Sequence, residues 1–80
     1  MEGITVTALA LSPADARIAF AGTRHMGLYM TADSGATWQP AWGGRLANAS
    51  VRDILFGRDG KTVYVASDQG IWHGGVNGAR

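Results

Sequence analysis

The chain has 80 residues, a formal net charge of +1 and no cysteine; 46% of its residues are hydrophobic, 16% are charged and 12 are glycine. One small domain of this size buries only about 60% of the surface its unfolded chain exposes, and without thiols neither disulfides nor a Cys-based zinc site can staple it. Near-neutral charge speaks against a nucleic-acid clamp, and the apolar fraction is too high for disorder.

Residues 4–11 read as a first strand, ended by the turn cluster Ser12-Pro13-Ala14-Asp15. This run is far shorter than the roughly 20 residues of a membrane span. Glu2 stands where a signal peptide carries Lys or Arg. Residues 17–21 form a second strand closed by Gly22, with at most one helical turn at Asp15-Ala16-Arg17 before it. A loop over residues 23–27 leads to a third strand at 27–31. Asp33-Ser34-Gly35 is a tight turn, and a fourth strand at 37–39 is cut short by Pro40. Residues 43–48 connect to a strand at 51–56, and Asp59-Gly60 marks a hairpin turn into a strand at 62–66. Ser67-Asp68-Gln69 is a loop before the last strand at 70–73. No stretch carries a helical period.

The pieces repeat. Residues 6–11 align with 51–56 and residues 18–21 with 63–66, both at an offset of 45, while Gly27-Leu28-Tyr29 aligns with Gly70-Ile71-Trp72 at 43. The two-residue difference falls in one loop. A period near 40–45 residues with four strands per unit is the signature of a β-propeller blade. Ile18 and Phe20 alternate with Ala19 and Ala21, and Val63 and Val65 with Tyr64 and Ala66, so both strands are apolar on both faces. Such strands need cover on both sides.

The expected fold is all-β, with seven strands in about two four-stranded antiparallel blades: residues 1–47 form the first and 48–80 an incomplete second. Arg80 matches Thr37, so the counterpart of residues 38–42 is missing. Two blades do not close a ring, so the chain is expected to assemble with copies of itself or to belong to a longer protein. Three copies give six blades and four give eight, both within the usual propeller range.

The segment Thr31-Ala32-Asp33-Ser34-Gly35-Ala36-Thr37-Trp38 resembles the Asp-box of BNR-repeat propellers, in which Ser/Thr, Asp, Gly, Thr and Trp recur at this spacing. That family includes sialidases, sortilin-like receptors, xyloglucan-degrading glycosidases and photosystem assembly factors. The resemblance covers the whole chain as a blade pattern and is most specific at Thr31, Asp33, Gly35, Thr37 and Trp38. It implies that the box is a structural turn remote from the ligand face. Locally, Asp33 is expected to accept N–H groups two residues on, Gly35 to take positive φ, and Trp38 to fold over the hairpin. In the second unit Val76 stands in place of Asp33. A looser turn is expected there, with Arg80 and its neighbours frayed.

A sialidase-like enzyme requires an arginine cluster, a Tyr–Glu pair and an acidic acid/base. Arg24, Arg45 and Arg52 supply arginines, but Glu2 is the sole glutamate. Asp53 and Asp68 are the candidates for a glycosidase pair. Asp53 takes the place of Ala8 and is expected to pair with Arg52 or with an arginine of another copy. His25 and His73 lie at non-equivalent positions without an acidic cluster, so no metal is expected, and no phosphate loop or other cofactor motif is present. Asn48-Ala49-Ser50 matches a glycosylation sequon by pattern alone. Trp42 and Trp72 suit packing between blades or stacking on sugars.

Strand parity places the loops at 23–26, 43–48 and 68–69 on one face, with Arg24, His25, Arg45, Asn48, Asp68 and Gln69 as candidate ligand residues. The resemblance implies that ligands bind on that face. The first functional reading is a non-enzymatic, self-assembling scaffold that binds a protein or glycan there, with no nucleic-acid or membrane partner. The alternatives are the blade pair of a glycoside hydrolase and a lectin using Trp42 or Trp72. The compartment stays open.

Overall fold

A computed structural model describes residues 4–79. Seven strands build two antiparallel sheets, which confirms the all-β expectation. The first contains β1 (Val6–Leu11), β2 (Ala19–Thr23), β3 (Leu28–Thr31) and β4 (Gln39–Pro40) in that order. The second contains β5 (Val51–Phe56), β6 (Thr62–Ser67) and β7 (Gly70–Gly75).

The first four strands begin one or two residues later than the sequence pattern suggests, and for β2 and β4 side-chain chemistry explains the delay. Asp15 Oδ1 accepts the Arg17 N–H at 3.0 Å, and the Ile18 N–H reaches the Asp15 carbonyl at 3.0 Å. These bonds hold residues 15–18 in a turn, so β2 starts at Ala19. Asp33 likewise binds Thr37, so β4 is only Gln39–Pro40. Pro40 pairs with Tyr29 at the sheet edge, where its missing N–H costs no ladder bond. After it, Ala41–Gly44 turns sharply through left-handed Trp42 (φ 51°) and Gly43 (φ 65°).

The second sheet copies the first in detail. β1 carries an irregularity between Val6 and Ala8 in its pairing with β2, and β5 carries the same between Val51 and Asp53 in its pairing with β6. The Thr23 hydroxyl donates to the Gly27 carbonyl at 2.6 Å, and the Ser67 hydroxyl to the Gly70 carbonyl at 2.9 Å. The Arg24 N–H reaches the Thr5 carbonyl at 3.0 Å, and the Asp68 N–H the Ser50 carbonyl at 3.1 Å. Asp59 caps the Lys61 N–H at 2.8 Å, as Asp15 caps Arg17. The pairing corrects one alignment. Leu9 opposes Ala21 while Ile54 opposes Val65, so β2 maps onto β6 at an offset of 44, not 45. The residue is lost in the first hairpin connection, and β3 maps onto β7 at 43, with Tyr29 and Trp72 equivalent.

The corrected alignment identifies the faces. One face of the first sheet, with Ala10, Phe20, Leu28 and Met30, packs against Val51, Ile54, Val63 and Val65 of the second. β5 lies against β1 and β2. The approach is close because Gly22 has no side chain: a Cβ there would sit 2.3 Å from Val51 Cγ1. Farther out, Trp42 stacks on Phe20 at 5.7 Å, and Phe20 meets Phe56 edge-on at the same distance. Every residue of β2 is buried, as its two apolar faces lead one to expect. In β6 only Val63 and Val65 are; Tyr64 is exposed.

The turn after β7 departs from its expected looseness. Val76 is buried, Asn77–Ala79 makes a single 3-10 turn, and the Ala79 N–H reaches the Val76 carbonyl at 3.1 Å with Ala79 wholly buried. An apolar side chain at the position of Asp33 anchors the turn in the core instead of bonding it internally. Arg80 lies outside the described residues.

Gly22→Ala is expected to cost about 1–3 kcal/mol through overpacking against Val51. In a urea-unfolding double-mutant cycle, Val51→Ala is expected to relieve part of that cost, because it removes Cγ1 and leaves Val51 Cβ 2.7 Å from the added Cβ; additive effects would contradict the contact.

Candidate functional site

The turn at residues 31–38 is saturated with its own bonds. The Thr31 hydroxyl donates to Asp33 Oδ1 at 2.6 Å and accepts the Gly35 N–H at 3.0 Å. Asp33 Oδ1 accepts the Thr37 N–H at 2.9 Å, and Oδ2 accepts the Thr37 hydroxyl. The carboxylate therefore reaches four residues on, rather than two. Ser34 (φ 63°) and Gly35 (φ 92°) are left-handed, and the Trp38 ring lies over Gly35, 3.9 Å from where a Cβ would be. The Ser34 N–H ties the turn to the Arg17 carbonyl at 3.0 Å. The bonds from the Thr31 hydroxyl, the Thr37 hydroxyl and the Thr37 N–H hold Asp33 down at about 2, against an ordinary 3.8.

On the loop side, His25 and Asp68 are joined through Ser50, which in the sequence stands out only as the end of a sequon, and Arg24 lines the same depression as Ser50. Ser50 Oγ accepts the His25 N–H at 3.2 Å and lies 3.1 Å from His25 Nδ1. The Ser50 N–H donates to Asp68 Oδ1 at 2.9 Å. His25 is left-handed (φ 75°). Arg24, His25, Ser50 and Arg52 line one open depression, floored by Thr7 and Val51. The Thr7 hydroxyl donates to the Val51 carbonyl at 2.6 Å and so fixes that floor.

The other candidates lie elsewhere. Arg45 borders a separate depression with Trp42, Trp72, His73 and Gly74. There the Trp42 Nε1–H donates to the Gly75 carbonyl at 3.1 Å, and a Cβ on Gly74 would lie 2.7 Å from the Trp42 ring. Trp42 is thus committed to packing, and Trp72 is the freer of the two rings. Asn48 and Gln69 are exposed outside both depressions.

The carboxylates are engaged in backbone geometry. Asp53 accepts the Ile54 N–H at 2.9 Å instead of pairing with Arg52, because the bulge turns it back onto its own strand. Asp59 accepts N–H groups of Lys61 and Thr62, which lower its pKa. Among the described residues the ion pair is Asp15 with Arg17, at 2.9 Å. No described trio of His, Asp or Glu is placed to hold a metal, and Glu2 lies outside the described residues.

Compared with protein-family models, with curated proteins and with solved structures, the chain matches none.

The lowered Asp33 sets a pH dependence. Its contribution to stability is present above the unfolded-state value near 3.8 and is lost as pH falls through about 2. Wild type is expected to lose melting temperature more steeply than Asp33→Asn between pH 4 and 2, and the variant to be less stable at pH 7. Thermal melts across that range measure both.

Proposed function

We propose that the chain is a non-enzymatic scaffold of Asp-box propeller repeats, which assembles with its own copies and binds a protein or glycan at its loop face. The observation that carries this reading is the internal repeat: two sheets alike in bulge, hydroxyl latch and aspartate-capped hairpin. Units that stack in this manner bury a continuous core between neighbours. The saturated turn around Asp33 fits the structural role that the box plays in that family.

Binding is favoured over catalysis by the state of the acids. Asp33, Asp53, Asp59 and Asp68 each accept a backbone N–H, and Asp15 holds Arg17. The candidate glycosidase pair, Asp53 and Asp68, is used to shape strand and loop. Arg24 and Arg52 line a depression with no described carboxylate in ion-pair reach. Two guanidinium groups beside a hydroxyl and an imidazole suit a carboxylate- or sulfate-bearing ligand. Self-assembly repeats this site around the particle, so that weak contacts add as avidity.

Native mass spectrometry and sedimentation are expected to show a closed oligomer, a trimer giving six sheets; a stable, cooperatively folding monomer would refute self-assembly. On an array of acidic and neutral glycans, Arg24→Ala with Arg52→Ala is expected to weaken acidic ligands by about tenfold or more. The same double variant should melt at the wild-type temperature.

A further inference from the structure

Among the described residues, six of the eight large apolar side chains that remain exposed sit on the outer faces of the two sheets: Val6, Leu9 and Leu11 on the first, Leu55, Tyr64 and Ile71 on the second. Leu9 and Leu11 are 61% and 60% exposed, and Ile71 is 80% exposed. Concentration of apolar surface on two faces marks sites of association.

The internal repeat says what covers them. Under the corrected alignment, Val6, Leu9 and Leu11 correspond to Val51, Ile54 and Phe56, which the chain buries or half-buries against its first sheet. Leu55, Tyr64 and Ile71 correspond to Ala10, Phe20 and Leu28, the side chains that pack against those same partners. The two outer faces are therefore unmatched halves of a contact that each molecule already makes once internally. We propose that the outer face of the second sheet receives the outer face of the first sheet of a second copy, head to tail, in the orientation the two sheets adopt within one chain but spaced wider where Ala66 replaces Gly22. This rests on the self-assembly reading above and names its interface.

Such a contact is heterologous: different patches meet, and an open array keeps one free face of each kind, one at either end, until it closes. It is also weaker than its internal counterpart. Ala66 stands where Gly22 admits Val51, Tyr64 adds a hydroxyl where Phe20 is buried, and Asp53 and His73 replace Ala8 and Met30. Assembly is accordingly expected to depend on concentration.

The test uses two variants of the full chain, each altered only at exposed positions. One carries Leu9→Lys and Leu11→Lys, the other Leu55→Lys and Ile71→Lys. Each alone is expected to be a folded monomer by circular dichroism and native mass spectrometry. Mixed in equal amounts, they are expected to give a one-to-one heterodimer that grows no further, because each brings one intact and complementary face. Where a double variant fails to fold, the single substitutions Leu9→Lys and Ile71→Lys carry the same test. A wild-type assembly in which one variant stays dimeric alone would show like faces pairing, and would overturn the head-to-tail contact while leaving self-assembly intact. An assembly unchanged in both variants would place the interface elsewhere, with the same consequence. A wild-type monomer at all concentrations would overturn both readings.

Discussion

The fold depends on the seam where β5 is pressed against β1 and β2. Eighty residues without cross-links have one place to make a thick apolar core, and that is between two sheets. The missing side chain of Gly22 lets Val51 enter, and Phe20, Ile54, Val63 and Val65 fill the space behind it. Sheets that are separately too small to be stable become stable by covering one another. The hydrogen-bonded turns at the periphery keep each hairpin in the register that presents these side chains to the seam.

The same seam organises the loop side. Ser50 immediately precedes Val51, so the residue that bridges His25 and Asp68 is positioned by the core below it. Thr7 bonds across the seam to the Val51 carbonyl and joins β1 to β5 under the depression. Arg24, in the loop after β2, and Arg52, on β5, thus project from elements whose relative position is fixed by packing. The backbone of a surface held in this way is ordered in advance.

Much of this was legible in the residues themselves. The alternation of apolar side chains and the Gly, Pro and Asp punctuation located every strand, and the offsets of 45 and 43 exposed the repeat. Boundaries failed where a carboxylate captured backbone N–H groups: Asp15 delays β2 and Asp33 delays β4, and a hydrophobicity pattern does not register such bonds. The offset of 44 for β2 was hidden because Ile18, Ala19, Phe20 and Ala21 are all apolar, so a slip of one residue leaves the pattern unchanged. Of the loop residues, Arg24, His25 and Asp68 converge. Arg45 does not, since the left-handed turn at Trp42 and Gly43 directs the chain toward β7. Ser50 carried no signal of its own, because its role comes from the loop that reaches it from 25 positions earlier.

The seam is not of even width. Its narrow end is set by Gly22 against Val51, and its wide end is filled by the indole of Trp42, seated between Phe20 and the backbone of β7 over Gly74. One glycine and one tryptophan therefore fix the taper of the wedge between successive sheets. A substitution at either residue would tilt one sheet against the other, and so move Arg52 relative to Arg24 without altering any side chain of the depression they line.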